Sequence, residues 1–247
     1  MHVHGCDDQG RAPLLSNRDA FLWQLPRSCF LCGQPLQHDR LLCAPCEAGL
    51  PARETPACRC CGEPLERPAP VLLCRRCASA PLAVDETVAA FAYRYPLDVL
   101  VRHFKYGGAL YLAKPLAEGL MRTAARHGRP DVLLAMPLSP RRRRRRGYNQ
   151  AHEIAVRLAR HYERPLLAGV RRIRDTEAQA GLNFTQRRDN MAGAFACGAA
   201  VAGLHVAVVD DVMTSGATMD ALAQVLKAHG ARRVSAWVVA RTPSPDF

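Results

Sequence analysis

The spacing of apolar and polar positions changes several times along the 247-residue chain, and each change marks an element. Between Val84 and Pro96 the run VDETVAAFAYRYP alternates and holds enough β-branched and aromatic residues to predict a strand. LDVLVRHFKYGG then sets Leu97, Leu100, Val101 and Phe104 on one side of a helix that Gly107 and Gly108 close. A second helix is predicted from about Leu110 to His127, stopped by Gly128 and Pro130. VLLAMP (132–137) reads as a short buried strand, and YNQAHEIAVRLARHY (148–162) as an amphipathic helix with Ile154 and Leu158 on its apolar face. Residues 171–193 are polar, charged and weakly periodic, which predicts a long loop with a helical piece, a common form for a functional cover. LHVAVVDD (204–211) has the continuous apolar run of a parallel strand. MTSGAT follows as a turn, and MDALAQVLKAHG as a helix with Leu222, Val225 and Leu226 inward and Gly230 as its stop. RVSAWVVA (233–240) is a last strand. The alternation of strand and helix predicts an α/β domain whose mainly parallel sheet is flanked by helices.

Upstream of residue 80, cysteine spacing carries the signal. CFLCGQPLQHDRLLCAPC (Cys29 to Cys46) and CRCCGEPLERPAPVLLCRRC (Cys58 to Cys77) both read C-x-x-C-G-x-P-L, a spacer, then L-L-C-x-x-C. This is an internal repeat, and two CxxC pairs per unit is what a tetrahedral four-thiolate zinc site requires. Gly33 and Gly62 stand where each knuckle must turn sharply. A duplicated unit is expected to be self-contained, with Cys29, Cys32, Cys43 and Cys46 on one zinc and Cys58, Cys61, Cys74 and Cys77 on the other; an interleaved pairing is the alternative. Buried or redox thiols would not need eight cysteines in four such pairs. Four thiolates leave zinc no open position for water, so both sites are read as structural, replacing the core that a short, Pro-rich segment lacks. Cys6, Cys60 and Cys197 fall outside the pattern and are read as bystanders. The expected organisation is an N-terminal tail (1–26), a double zinc ribbon (27–80) and the α/β domain (81–247).

Charge sharpens this division. The net charge is +12, but residues 1–80 hold nine arginines against eight acids, which leaves +11 on residues 81–247. The positive field therefore belongs to the α/β domain and attracts phosphate, free or polymeric. The N-terminus lacks a basic segment followed by an apolar core, and no run approaches the ~18 apolar residues of a membrane span, so a cytoplasmic protein without a membrane span is expected. Thiols stay reduced there, and the eleven cysteines favour metal over disulfides.

The stretch VAVVDDVMTSGATMD (206–220) concentrates the candidate chemistry. A buried strand delivers Asp210 and Asp211 at its C-terminal end, where parallel sheets bind ligands. The turn Thr214, Ser215, Gly216, Ala217 and Thr218 then enters a helix, offering backbone N–H groups, hydroxyls and a helix dipole to a phosphate monoester. Neither G-x-x-x-x-G-K-[ST] nor G-x-G-x-x-G occurs. An ordinary turn and helix cap is the plain alternative.

VVDDVMTSGAT resembles the phosphoribosyl-pyrophosphate (PRPP) signature of type I phosphoribosyltransferases. The wider layout is similar to the ComF-like competence family: paired CxxC modules, FKYGG (104–108), MPLSP (136–140), RRGYNQA (145–151) and DTEAQAGLNFTQRRDNMAGAF (175–195). The resemblance runs from about Cys29 to Thr242. It implies that Asp210 and Asp211 bind the ribose hydroxyls, that Thr214 to Thr218 hold the 5′-phosphate, and that magnesium joins pyrophosphate and ribose oxygens. Transfer would pass through an oxocarbenium-like centre without a covalent nucleophile, under a loop from Asp175 to Asn190 carrying Gln179, Arg187 and Arg188.

The run SPRRRRRRGYNQ (139–150) occupies a strand-to-helix connection at the ligand end of the sheet. Its family pattern, R-x-x-x-R-G-[FY]-N-Q, lands on Arg142 and Arg146, one helical turn apart if the helix starts early. These two are expected to meet pyrophosphate or an acceptor phosphate, with Arg141, Arg143, Arg144 and Arg145 adding field only. In HFKYGG, His103, Lys105 and Tyr106 are candidates to reach pyrophosphate, with Lys105 the one to mutate, and a basic helix end closed by glycine as a routine cap is the plain alternative. Two functions follow: Mg-dependent phosphoribosyl transfer to an unidentified acceptor, or a DNA-uptake protein that binds single-stranded DNA with PRPP as ligand or regulator. The nearly neutral cysteine module and the scarcity of aromatics give the second limited support.

Overall fold

Nearly continuous apolar runs form the centre of the structure, because a parallel strand covered on both faces has no side left for water. The computed structural model describes residues 27–36, 40–53, 56–65, 72–175 and 190–243. The N-terminal tail with Cys6, and Gln179, Arg187 and Arg188 of the expected cover, lie outside the described residues.

The strands are β1 (Glu86–Ala92), β2 (Val132–Ala135), β3 (Val170–Arg172), β4 (Phe195–Cys197), β5 (His205–Met213) and β6 (Arg233–Arg241). Four of them make an all-parallel sheet in the order β1-β6-β5-β2, and β3 and β4 pair separately as an antiparallel ribbon. The register sets Asp210 opposite Val238 and Met213 opposite Arg241. The free edge of β2 is covered where Leu133 N–H donates to the Pro165 carbonyl at 3.0 Å and Leu167 N–H to the Leu133 carbonyl at 2.7 Å.

The described helices are α1 (Ala44–Ala48), α2 (Arg75–Ser79), α3 (Leu97–Tyr106), α4 (Ala113–Ala124), α5 (Pro140–Arg146), α6 (Gln150–Tyr162) and α7 (Ala217–Ala228). On one face, α4 and α6 pack against each other and the sheet, with Tyr162 edge-on to Trp237 at 5.2 Å between ring centres. On the other face, Leu134, Val206, Val208, Ala236 and Val238 share a core with α7 and with the cysteines of the second repeat. The chain divides into two compact units, Met1–Gly49 and Leu50–Phe247. The division falls between the two cysteine repeats.

Three local features depart from the expected pattern. The helix expected from Leu110 to His127 is a 3-10 turn, Leu110–Leu112, followed by α4. Pro115 explains the start of α4, since a residue without an N–H is tolerated only in the first turn. The six arginines form a helix of their own: Ser139 Oγ accepts from Arg142 N–H, Pro140 opens it, and Gly147 at φ 78° ends it. Finally, α7 begins at Ala217, so Ala217 and Thr218 belong to its first turn and not to the loop before it.

Helix α4 meets β1 at Gly119, where an added Cβ would lie 2.4 Å from Phe91 Cε2. Alanine would normally gain about 1 kcal/mol of helix propensity over glycine, but overpacking a core costs ~1–3 kcal/mol. Gly119→Ala is expected to lower the thermal midpoint by a few degrees in a circular-dichroism melt; an unchanged or raised midpoint would show that Phe91 repacks freely.

Candidate functional site

Each cysteine repeat folds into the same local shape. Gly33 N–H donates to the Cys29 carbonyl at 2.9 Å, and Gly62 N–H to the Cys58 carbonyl at 2.7 Å, with both glycines at positive φ. Bridges Ser28–Pro35 and Ala57–Pro64 close the two knuckles. The second pair of each unit straddles a helix start, Cys43 preceding α1 and Cys74 preceding α2. The thiols of Cys29, Cys32, Cys43 and Cys46 lie within 4.8 Å of one another, as do those of Cys58, Cys61, Cys74 and Cys77. The sequential pairing expected from the repeat is thus the one the fold brings together. Cys32 and Cys43 sulfurs are 3.6 Å apart and Cys61 and Cys74 sulfurs 3.7 Å, close to the ~3.8 Å that a tetrahedral zinc with ~2.3 Å Zn–S bonds demands. Both donor sets fit a structural zinc ion.

The units differ in burial. Cys32 is exposed and Cys43 and Cys46 half-buried, whereas all four ligands of the second unit are buried. Cys60 and Cys197 join neither cluster: Cys60 Sγ accepts from Leu82 N–H at 3.2 Å, and Cys197 Sγ donates to the Ala199 carbonyl at 3.6 Å.

The second candidate site opens at the C-terminal end of β5, in a cleft of about 240 Å³. Asp211 is buried and its Oδ1 lies 2.9 Å from Lys105 Nζ, which α3 delivers from its last turn. Asp210 is half-buried beside it, and its Oδ1 accepts Asp211 N–H at 2.8 Å. Burial and then the Asp211 charge push the Asp210 carboxyl up to about 7. Burial works to lower the Lys105 pKa, but the Asp211 and Asp210 charges outweigh it and raise the value, so the ammonium stays charged.

Thr214 to Thr218 line the same cleft. Gly216 sits at φ 84°, and a Cβ there would lie 2.7 Å from Met213 Cε and 2.9 Å from Leu82 Cδ1; only glycine fits the turn. The first amides of α7 and its dipole face this turn. Of the six arginines only Arg142 and Arg146 line the cleft, since four residues of helix bring their side chains to one face. Arg141 to Arg145 are exposed and Arg146 is half-buried, so what sets Arg142 and Arg146 apart is their place at the cleft. Arg146 donates to Gln150 Oε1 at 3.1 Å and Tyr106 OH at 3.3 Å, with its guanidinium 5.2 Å from the Tyr106 ring centre.

FKYGG and RGYNQ are thereby stitched together. Tyr148 OH donates to the Phe104 carbonyl, Gln150 Nε2 to the Lys105 carbonyl at 3.4 Å, and Asn149 Nδ2 to the Met136 carbonyl at 3.1 Å. Asn149 also caps α6 through Ala151 N–H. His103 is exposed and does not line the cleft. Arg172, by contrast, was not singled out by the sequence pattern: it ends β3, is 6% exposed, and joins the cleft with its pKa lowered by burial and by Arg142. A charged residue at the start of a polar stretch offers no local signal of burial.

A double zinc ribbon domain family model matches residues 21–78, and a phosphoribosyl transferase domain model matches residues 144–246. The DNA utilization protein YhgH of Salmonella typhimurium is 33% identical over 227 residues, covering 88% of this chain and 98% of the relative. Competence protein F of Haemophilus influenzae is 30% identical over 211 residues, covering 81% and 90%. Competence protein ComFC of Bacillus subtilis is 26% identical over 217 residues, covering 84% and 87%. The parallel sheet and its helices are accordingly of the phosphoribosyltransferase-like fold. No helix among the described residues is long and apolar enough to cross a membrane.

Asp210 supplies a stability test. Its folded pKa of about 7 exceeds the ordinary 3.8, so the native state holds the proton longer than the unfolded chain does. Between those values stability falls as pH rises, and the full penalty applies above 7. Asp210→Asn, which removes the penalty, is expected to melt with the wild type near pH 4 and a few degrees above it at pH 8. Parallel melting curves across that range would reject the assigned environment.

Proposed function

The chain belongs to the family of the DNA utilization protein YhgH and competence protein F, and from that premise we propose that it binds PRPP in the β5 cleft. We further propose that, with magnesium, it transfers the phosphoribosyl group to an acceptor. The observation that carries this reading is the meeting, in one cleft, of an acid pair, a half-buried lysine on that pair, and a glycine turn leading into a helix N-terminus. The turn from Thr214 to Thr218 suits the 5′-phosphate through amides, hydroxyls and dipole. Asp210 and Asp211 suit the ribose 2′- and 3′-hydroxyls. Magnesium, which binds through substrate phosphates and few carboxylates, would be held beside Asp210 and Asp211 and would neutralise charge on the leaving pyrophosphate.

The leaving pyrophosphate collects charge as the C1′–oxygen bond breaks and the acceptor bond forms. Arg142, Arg146 and Lys105 are the cations placed to balance it, without any covalent intermediate on the protein. Arg146 is already oriented by Gln150 and Tyr106, so less freedom is lost on binding. Asp211→Asn is expected to weaken PRPP at least tenfold by isothermal titration calorimetry. Arg146→Lys should cost a similar factor, and the fourfold lysine variant of Arg141, Arg143, Arg144 and Arg145 less than twofold. Unchanged affinity in Asp211→Asn would remove the site, and equal effects of the two arginine variants would reduce the run to its charge.

A second reading is favoured by the exposure of those four arginines on the helix that borders the cleft, together with the names of the relatives. We propose it as single-stranded DNA binding, with PRPP as ligand or regulator. Such binding should weaken linearly in a log–log plot against salt, with a slope that the fourfold variant (to Ala) flattens by several contacts' worth. No binding of a labelled oligonucleotide at moderate salt would exclude it.

A further inference from the structure

The two cysteine repeats superpose residue for residue from Cys29–Leu36 onto Cys58–Leu65, so their differences can be read position by position. Leu31 of the first unit corresponds to Cys60 of the second, and Gln34 to Glu63. Phe30 against Arg59 is the third difference; the Cys60 and Glu63 positions are the two through which the second unit reaches the end of β5 and the start of α7.

Glu63 Oε2 accepts from Arg241 Nη2 at 2.7 Å, with both side chains almost fully buried. The same guanidinium donates through Nε to the carbonyl of Cys61, a metal ligand, at 2.8 Å, and through Nη1 to the carbonyl of Met213 at 3.4 Å. Met213 is the residue before the phosphate turn, and its carbonyl also accepts Thr242 N–H at 3.0 Å. The planar fork thus spans from a metal knuckle to the start of the turn. A second strut runs through Cys60. Its sulfur accepts Leu82 N–H, and Leu82 Cδ1 lies where a Cβ on Gly216 would come within 2.9 Å of it. The next residue, Ala83, donates its N–H to Asp220 Oδ1 at 2.6 Å, in the first turn of α7. The turn is therefore held before it at Met213, beneath it at Gly216 and after it at Asp220, and each hold leads back to the second cysteine unit.

A buried ion pair is a poor source of stability, because desolvation consumes most of its attraction and apolar replacements often do as well. What Glu63 and Arg241 supply is a fixed distance. We propose that the second cysteine unit is the positioning element of the phosphate turn, with Arg241 the positioning residue that transmits the geometry of its metal knuckle to Met213. Metal held by Cys58, Cys61, Cys74 and Cys77 then sets how well Thr214 to Thr218 are organised for a phosphate. This rests on the PRPP reading only for the identity of the phosphate.

The test measures amide hydrogen exchange in the full-length protein, comparing peptides that cover Val212–Asp220 with peptides from α6 as an internal reference. In Arg241→Lys, with two zinc ions per chain confirmed by metal analysis, exchange over Val212–Asp220 is expected to rise about tenfold while α6 is unchanged, and PRPP to bind about tenfold more weakly. Complete zinc removal from the wild type by a chelator should loosen Val212–Asp220 ahead of α6, and zinc return should restore it. This arm keeps the proposal falsifiable if Arg241→Lys fails to fold. Unchanged exchange in a two-zinc Arg241→Lys would overturn the proposal. So would a turn that stays protected after all zinc has gone, or a turn and an α6 that open together, which would mean the metal supports only global stability. A zinc-loaded wild type that ignores PRPP would remove the functional reading and leave the exchange result standing.

Discussion

Two adjacent carboxylates at the buried end of β5 impose the electrostatic condition that the rest of the cleft satisfies. Like charges so close, in a place that water reaches poorly, cannot both ionise without cations nearby. Lys105 answers Asp211 directly at 2.9 Å, and Asp210 is left with a carboxyl that ionises only near neutral pH. Around them stand Arg142, Arg146 and Arg172, whose charges exceed what one ionising acid pair requires. An excess of positive charge in a partly enclosed cleft is a standing demand for an anion. The glycine turn and helix dipole beside it give that anion a shape: a phosphate on a polar, hydroxyl-bearing body.

The location of this chemistry follows from backbone topology. Strands of one direction place all their C-terminal ends on one edge, so β2 delivers α5 and its two cleft-lining arginines where β5 delivers its acids. Arg142 and Arg146 reach the cleft because Ser139, Pro140 and Gly147 define a helix, which selects every fourth residue from a run that is chemically uniform. The remaining arginines do not line the cleft for the same reason.

Much of this was legible in local sequence. The apolar run of β5 with its acids and glycine turn, the two cysteine units and their sequential pairing, and the choice of Arg142 and Arg146 from six candidates all depend on spacings of a few residues. What escaped was set by distance along the chain or by hidden burial. Arg172 looks like any residue of a charged stretch until the fold covers it. The late start of α4, at Ala113 and not Leu110, was hidden behind a plausible apolar pattern, although Pro115 carried the information. The pairing of Glu63 with Arg241 joins residues 178 apart, and no periodicity registers it.

The cysteine repeat shows how an identical ligand pattern can carry different structural roles. Ligand spacing fixes the knuckle and the metal, and these are alike in both units. It says nothing of the residues inside and just after the CxxC loop, which are free to differ. Leucine and glutamine at those places, Leu31 and Gln34, offer no charge and no thiol. Cysteine and glutamate, Cys60 and Glu63, supply an acceptor for the Leu82 amide and a partner for a buried guanidinium. Burying that glutamate is unfavourable unless Arg241 meets it, and burying Arg241 is unfavourable unless Glu63, Cys61 and Met213 meet it. The mutual requirement explains why the second unit shares the core of the α/β domain and why the chain's compact units divide at Gly49. A metal site that closes on its own could fold apart; one whose knuckle carbonyl accepts from the buried Arg241 side chain at the end of β6 cannot be removed without leaving that guanidinium short of a partner.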